Sequence, residues 1–306
     1  MDAGLSTLEH IHARRQIEDD GVVVSRGTSR YLCASPEVTL HRRQRVQLEI
    51  IAESSGATRD TPIVFVHGAW HGAWCWENFL PHFARAGYAS YAVSLRGHGA
   101  SEGREGLRWH SAARGYVADV AQVVAQLARP PVLVGHSMGG YVVQKYLESH
   151  AAAAGVLLAS IPASGVLRFA LRYAARHPWA FLKSQLTLEP WHLVATPALA
   201  QEAFFSPGLP AEEVARHFVR LQPESYRMQF EAMFLDLPKP ARVRTPMLVL
   251  AAANDRVFTL AEEQATARAY GTEAVVFPDM AHDMMLEPGW RSVADRILGW
   301  LAERGL

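Results

Sequence analysis

The chain has 306 residues, 49% of them hydrophobic, and thirty basic residues are balanced by thirty acidic ones. That is ample apolar material for one large domain with a sizeable core, and zero net charge with no long run of one sign argues against a nucleic-acid partner. Two cysteines, Cys33 and Cys75, cannot build a disulfide framework, residues 1–20 lack the apolar core of a signal peptide, and no stretch reaches membrane-spanning length, so a cytoplasmic protein off the membrane is the expectation.

In chain order, residues 1–20 read as a polar extension. The runs at 31–33, 38–41 and 46–51 alternate like antiparallel edge strands, and the cluster His41, Arg42, Arg43, Arg45 reads as the solvated face of one of them. From 61 to 160, apolar runs at 63–66, 89–94, 132–134 and 155–159 alternate with helical patterns at 77–86, 112–127 and 140–149. That rhythm predicts parallel βαβ units with strands buried on both faces. It lapses between 161 and 243, a helical stretch punctuated by prolines and rich in large apolar side chains, which reads as an inserted cap. Within it Phe230, Met233, Phe234 and Leu237 fall at i, i+3, i+4, i+7 and predict one apolar helix face. The rhythm resumes with a strand at 246–251, a helix at 261–269 opened by a Thr259/Glu262 capping box, a strand at 274–277 and a last helix at 292–302. The core is thus expected at 21–160 and 244–306.

The chemistry is concentrated at the ends of these strands. The run at 132–134 leads into Gly135, His136, Ser137, Met138, Gly139, and a helical pattern follows. A serine on a tight strand-to-helix turn projects its hydroxyl from the sheet edge, and glycines flank it because a Cβ would crowd the turn. Ser137 is the candidate nucleophile, and the N–H of Met138, at the helix start, is a candidate donor to a developing oxyanion. A serine hydroxyl needs a base, and the base an orienting acid. Asp255 follows the strand at 246–251 by a short turn, and His282 follows the next strand and a loop, so both are expected at the same sheet edge. Asp279 and Asp283 are rival acids, but a residue adjacent to the base cannot easily turn onto the Nδ1 of that imidazole.

The first parallel strand runs into His67, Gly68, Ala69, Trp70, His71, Gly72, Ala73, Trp74. The glycine after His67 lets the loop fold over the nucleophile, which makes the Ala69 N–H a second candidate oxyanion donor. His67 and His71 lie in a glycine-broken loop without an accompanying acid, so no metal is expected, and His67 is read as a brace for that loop. The turn Arg96–Gly97–His98–Gly99 reads as scaffolding at the same edge.

With HGAWHGAW at 67–74, RGHGAS at 96–101, GHSMGG at 135–140, AANDRV at 252–257 and MAHDMMLEPGW at 280–290, the chain resembles the α/β-hydrolase superfamily, in particular its cap-bearing serine esterases. The first motif is similar to that of small-molecule methylesterases and hydroxynitrile lyases, the remainder to bacterial carboxylesterases. The resemblance implies a mostly parallel eight-stranded sheet flanked by helices, a catalytic triad at Ser137, Asp255 and His282, and no cofactor. Ser94 and Ala252 depart from residues the family commonly carries, both at structural positions. The expected activity is hydrolysis of an ester or lactone of a small, largely apolar molecule. Trp70, Trp74, Trp179, Trp191, Phe205 and Phe234 are the candidate pocket residues. Carbon–carbon hydrolysis, cyanohydrin lysis and perhydrolysis use the same frame and stay open, as does a ligand receptor on a hydrolase scaffold; nothing in the chain bears on oligomeric state.

Overall fold

The computed structural model describes Val22–Val24 and residues 46–54 and 56–306. The expected strands at 31–33 and 38–41, the basic cluster from His41 to Arg45, Cys33 and the extension at 1–20 lie outside the described residues. Among the described residues eight strands form one sheet: β1 (Val22–Val24), β2 (Leu48–Glu53), β3 (Ile63–Val66), β4 (Ser90–Val93), β5 (Val132–His136), β6 (Ala154–Leu158), β7 (Met247–Ala252) and β8 (Ala274–Phe277). Their spatial order is β1-β2-β4-β3-β5-β6-β7-β8. The β2–β4 pair is antiparallel and every other pair is parallel.

Strands β3, β5, β6 and β7 bury every residue, as their unbroken apolar runs require once helices cover both faces of a sheet. The covering helices include α1 (Phe79–Arg85), α2 (Val117–Val124) and α3 (Met138–Leu147). Helix α1 is pinned to β3 by aromatic rings: the Phe65 centroid lies 5.3 Å from that of Phe83 and 6.0 Å from that of Phe79. The helical pattern at 112–127 begins as a π-helical turn over Ala112–Tyr116, where the Tyr116 N–H reaches back to Ser111 O at 3.2 Å, and becomes α-helical only at Val117.

Between β6 and β7 run five helices: α4 (Leu167–Arg176), α5 (Pro178–Thr187), α6 (Pro197–Phe204), α7 (Ala211–Phe218) and α8 (Tyr226–Phe230). Pro178 and Pro197 stand at the first turn of their helices, where the missing N–H costs no hydrogen bond. The stripe Phe230, Met233, Phe234, Leu237 does not form one helix face. Helix α8 passes into a π-helical turn over Glu231–Leu235, closed by Asp236 N–H to Glu231 O at 3.0 Å, and that wider turn breaks the 3.6-residue spacing. After β7 the chain forms α9 (Leu260–Ala269), β8 and α10 (Trp290–Ala302). The expected capping box opens α9: Thr259 Oγ1 accepts from Glu262 N–H at 3.3 Å, and Glu262 Oε2 accepts from Thr259 N–H at 2.8 Å.

Two details of this topology position the site. Strand β3 is flanked by β4 on one side and β5 on the other, so successive connections leave in opposite directions and open a crevice at the strand ends, where ligands of such sheets bind. The register pairs Val66 with Gly135, which sets the loops after β3 and β5 side by side at that crevice. No helix among the described residues is long and apolar enough to cross a membrane.

Candidate active site

Ser137 sits between the last residue of β5 and the first of α3 with φ 51° and ψ −116°, a conformation L-residues seldom adopt and which functional sites often hold. The neighbouring glycines make it possible. A Cβ at Gly135 would strike the Gly139 backbone, and one at Gly139 would overlap the carbonyls of Val66 and His67, so α3 starts in backbone contact with β3. The Ser137 N–H donates to Leu158 O and its carbonyl accepts from the Ile161 N–H, both at 3.0 Å, tying the turn to β6.

His282 is almost fully buried, and its Nε2 lies 2.9 Å from Ser137 Oγ while its Nδ1 lies 2.7 Å from Asp255 Oδ2. The remaining Asp255 oxygen accepts from the N–H groups of Val257 at 2.6 Å and Phe258 at 3.0 Å, so the carboxylate cannot swing away from the imidazole. His136, next to the serine, donates from Nε2 to the His282 carbonyl at 3.0 Å and fixes the loop that carries the ring. Three side chains from the ends of β5, β7 and β8 therefore meet in one hydrogen-bonded line. Burial disfavours a charged His282, but the Asp255 carboxylate and its hydrogen bond outweigh it, aided by Asp283, and hold the imidazole above its ordinary value. His136 is pushed the other way, down to about 3, by burial first and by its proximity to His282 second. A neutral His282 with its Nδ1–H on Asp255 offers the Nε2 lone pair to the serine hydroxyl, an arrangement able to take that proton.

The rival acids lie elsewhere. Asp279 is exposed. Asp283 is fully buried but faces His71, whose Nε2 is 3.0 Å from Asp283 Oδ2, and its other oxygen is 3.5 Å from His136 Nε2. Both ring nitrogens of each first-loop histidine are already engaged within the protein. His67 donates from Nδ1 to Gly68 O at 2.8 Å and accepts the Leu95 N–H at 3.0 Å, whereas both nitrogens of His71 face acceptors, Ala69 O and Asp283. His136, His282 and Asp283 bring three ligand-type atoms within 4.8 Å of one another, but both nitrogens of His282 are already engaged with Ser137 and Asp255. In the turn after β4, Arg96 clamps the fully buried Asp119 with its guanidinium and its own N–H.

Ser137, Ala69 and Met138 share one cavity of about 600 Å³ including its mouth. Met138 is the first residue of α3, so its N–H belongs to the opening turn that has no intrahelical acceptor. Phe169, Tyr173, Phe181, Met228, Met233 and Phe258 form much of the remaining wall, and no charged side chain lines it among the described residues. Of the six aromatics expected there, only Trp70 is present. Trp74 instead stacks with His217 and carries the Arg220 guanidinium 4.2 Å from its ring centroid. Phe205 also stacks on His217, with ring centroids 5.4 Å apart. Trp191 lies on a separate groove with Arg108 and Glu189, against Phe218. Trp179 is 81% exposed and Phe234 53% exposed, the latter touching only Phe230 among the described rings. The wall residues on α4 carry a signal of their own, because Val166, Phe169, Ala170 and Tyr173 fall at i, i+3, i+4, i+7 and all four face the cavity.

The chain is similar to several characterised proteins. A pFDCC methylesterase of Arabidopsis thaliana is 28% identical over 217 residues, 66% of this chain and 80% of that one. A monoacylglycerol lipase of Mycolicibacterium smegmatis is 24% identical over 267 residues, 78% of this chain and 87% of its own. Among solved structures, an esterase from Exiguobacterium antarcticum superposes with a TM-score of 0.67 at 18% identity, over 84% of this chain and 96% of that one. A sequence model of the alpha/beta hydrolase family matches residues 63–295 of the 306, which takes in every strand from β3 to β8 and all three residues of the hydrogen-bonded line. The chain belongs to the alpha/beta hydrolase family.

Proposed function

We propose that this protein is a serine esterase that cleaves the carboxylic ester or lactone of a small, largely apolar molecule through an acyl-enzyme. The observation that carries the reading is His282, placed 2.9 Å from Ser137 Oγ and 2.7 Å from Asp255. In this reading His282 takes the proton as Ser137 Oγ attacks the acyl carbon, and Asp255 holds the tautomer and stabilises the imidazolium. The N–H groups of Ala69 and Met138, residues that line the same cavity as Ser137, receive the oxyanion, and each such donor contributes about 3 kcal/mol to the transition state. The imidazolium then protonates the leaving alcohol, and a water activated by the same base releases the acyl group.

The uncharged wall supports a substrate without a charge near the scissile bond, since an anion or cation there would lose its hydration with nothing to replace it. The methylesterase and monoacylglycerol lipase among the relatives support ester hydrolysis as the reaction class. Residues 161–243 act as a cap that supplies most of that wall, in part from α4, α5 and α8. The test is a series of p-nitrophenyl esters of increasing acyl length with wild type and Ser137→Ala. Turnover that favours apolar acyl groups and disappears in the variant supports the reading, and turnover surviving in a folded Ser137→Ala contradicts it.

A further inference from the structure

The loop that carries Ala69 is held in an unfavourable shape. Trp70 follows it with φ 65°, the left-handed region that a bulky residue occupies only when its surroundings enforce it. The enforcement comes largely from one short stretch between α7 and α8. The Trp70 N–H donates to Glu224 Oε2 at 3.4 Å, the Trp70 carbonyl accepts from the Gln222 N–H at 2.9 Å, and the next carbonyl, of His71, accepts from Gln222 Nε2 at 2.8 Å. The carbonyl of the Ala69–Trp70 peptide is gripped from the other side by His71 Nδ1 at 2.7 Å.

Glu224 is itself fixed. It is 3% exposed, and its carboxylate also accepts from Tyr116 OH at 2.8 Å, from the Ser225 N–H at 2.6 Å and from His98 Nε2 at 3.0 Å. The other nitrogen of His98 faces Arg96 O at 3.1 Å, so both ring nitrogens are held by acceptors and the ring is fixed against Glu224. Burial opposes the charge on Glu224, yet His98 and the surrounding donors hold its carboxyl below the usual range. Gln222 spends its remaining oxygen on the Gly99 N–H at 3.2 Å, anchoring the stretch to the turn after β4.

We propose that Glu224 and Gln222 are positioning residues for the oxyanion donor: they hold the strained Ala69–Trp70 turn so that the Ala69 N–H faces the carbonyl attacked by Ser137. Neither residue lines the cavity. Released from them, Trp70 relaxes toward negative φ and the Ala69 N–H turns with it, so the loss falls on the transition state rather than on substrate binding. The inference rests on the esterase reading, in which Ala69 is an oxyanion donor.

The experiment compares Glu224→Gln and Gln222→Ala with wild type, and uses Arg108→Ala as a control that breaks the exposed Arg108–Glu189 pair linking the same helical segment to the core. Each protein is assayed on one p-nitrophenyl ester across pH and titrated with an alkyl trifluoromethyl ketone, whose hemiketal oxygen occupies the oxyanion site. Glu224→Gln is expected to lower kcat and ketone affinity together by about tenfold or more. KM and the acidic limb of the pH profile stay in place, Gln222→Ala shows the same split with a smaller loss, and the control stays within about twofold. Unchanged kcat and ketone affinity in the folded variants, or a loss confined to KM, overturns the proposal; if Glu224→Gln does not fold, Gln222→Ala decides alone. A wild type that neither binds the ketone nor depends on Ser137 would instead overturn the esterase reading.

Discussion

The two sides of the cavity are built by different means. On one side, Ser137, Asp255 and His282 stand on turns at the ends of strands whose positions are dictated by the sheet, and hydrogen bonds from backbone N–H groups lock Asp255 in place. On the other, α4, α5 and α8 present side chains from helices that also expose Leu171, Trp179 and Leu186 to solvent. The sheet edge tolerates almost no change because its geometry is made by backbone. The helical wall sets the shape of the cavity through side chains that a substitution alters one at a time. Reactivity should therefore be brittle and substrate preference plastic.

The comparison is sharpest at Asp255. Asp255→Asn is expected to lower kcat roughly 10³- to 10⁴-fold, because the amide no longer enforces the tautomer that leaves Nε2 free, while the fold stays intact. The residual activity carries a second signature. On the proposed mechanism the base works only as neutral imidazole, so activity falls as pH drops through the His282 pKa, and in wild type this acidic limb should lie above about 6.5, the ordinary histidine value. Since the Asp255 charge is what raises that pKa, the limb should move down in Asp255→Asn. The stability sign is opposite: a histidine raised in the folded state contributes stability in full below its unfolded value and loses it as pH rises through the folded one. Thermal unfolding across pH should show the His282 contribution fading where activity appears, and shrinking in the variant.

On the helical side the effects are smaller and selective. Phe181 is half-buried and lines the cavity, so Phe181→Ala should lower kcat/KM about tenfold for esters whose acyl group reaches that wall, and change acetate turnover by less than about twofold. A uniform loss on every ester would break the division between the two sides. Trp179→Ala should do least: the ring is 81% exposed, so unfolding free energy should stay within about 0.5 kcal/mol and kcat/KM should be unchanged.

What was legible in the sequence follows the same division. A run of buried strand residues entering Gly135–Ser137–Gly139 states the turn, and with it the place of the hydroxyl, because only glycine fits where Gly139 meets the carbonyls of β3. Asp255 and His282 were readable because each closes the next strand of a parallel series, whose ends share an edge by construction. The helical wall was not, because aromatic content does not say which face of a helix is turned inward. Trp179 and Phe234 look like pocket residues in composition and lie on the solvent side, whereas the stripe through Phe169 and Tyr173 has the helical spacing and faces the cavity. The stripe after Phe230 failed for a local reason, a π-helical turn that spacing alone does not announce. The buried pair His98–Glu224 was invisible because its partners are 126 positions apart and neither belongs to a motif that implies the other.

The most direct test of the account is to treat the protein with a fluorophosphonate and locate the adduct by peptide mass mapping. One label, carried on Ser137, is the expected result, with none taken up by Ser137→Ala. A label on another residue, or one that survives the substitution, would contradict the claim that this hydroxyl is the activated nucleophile.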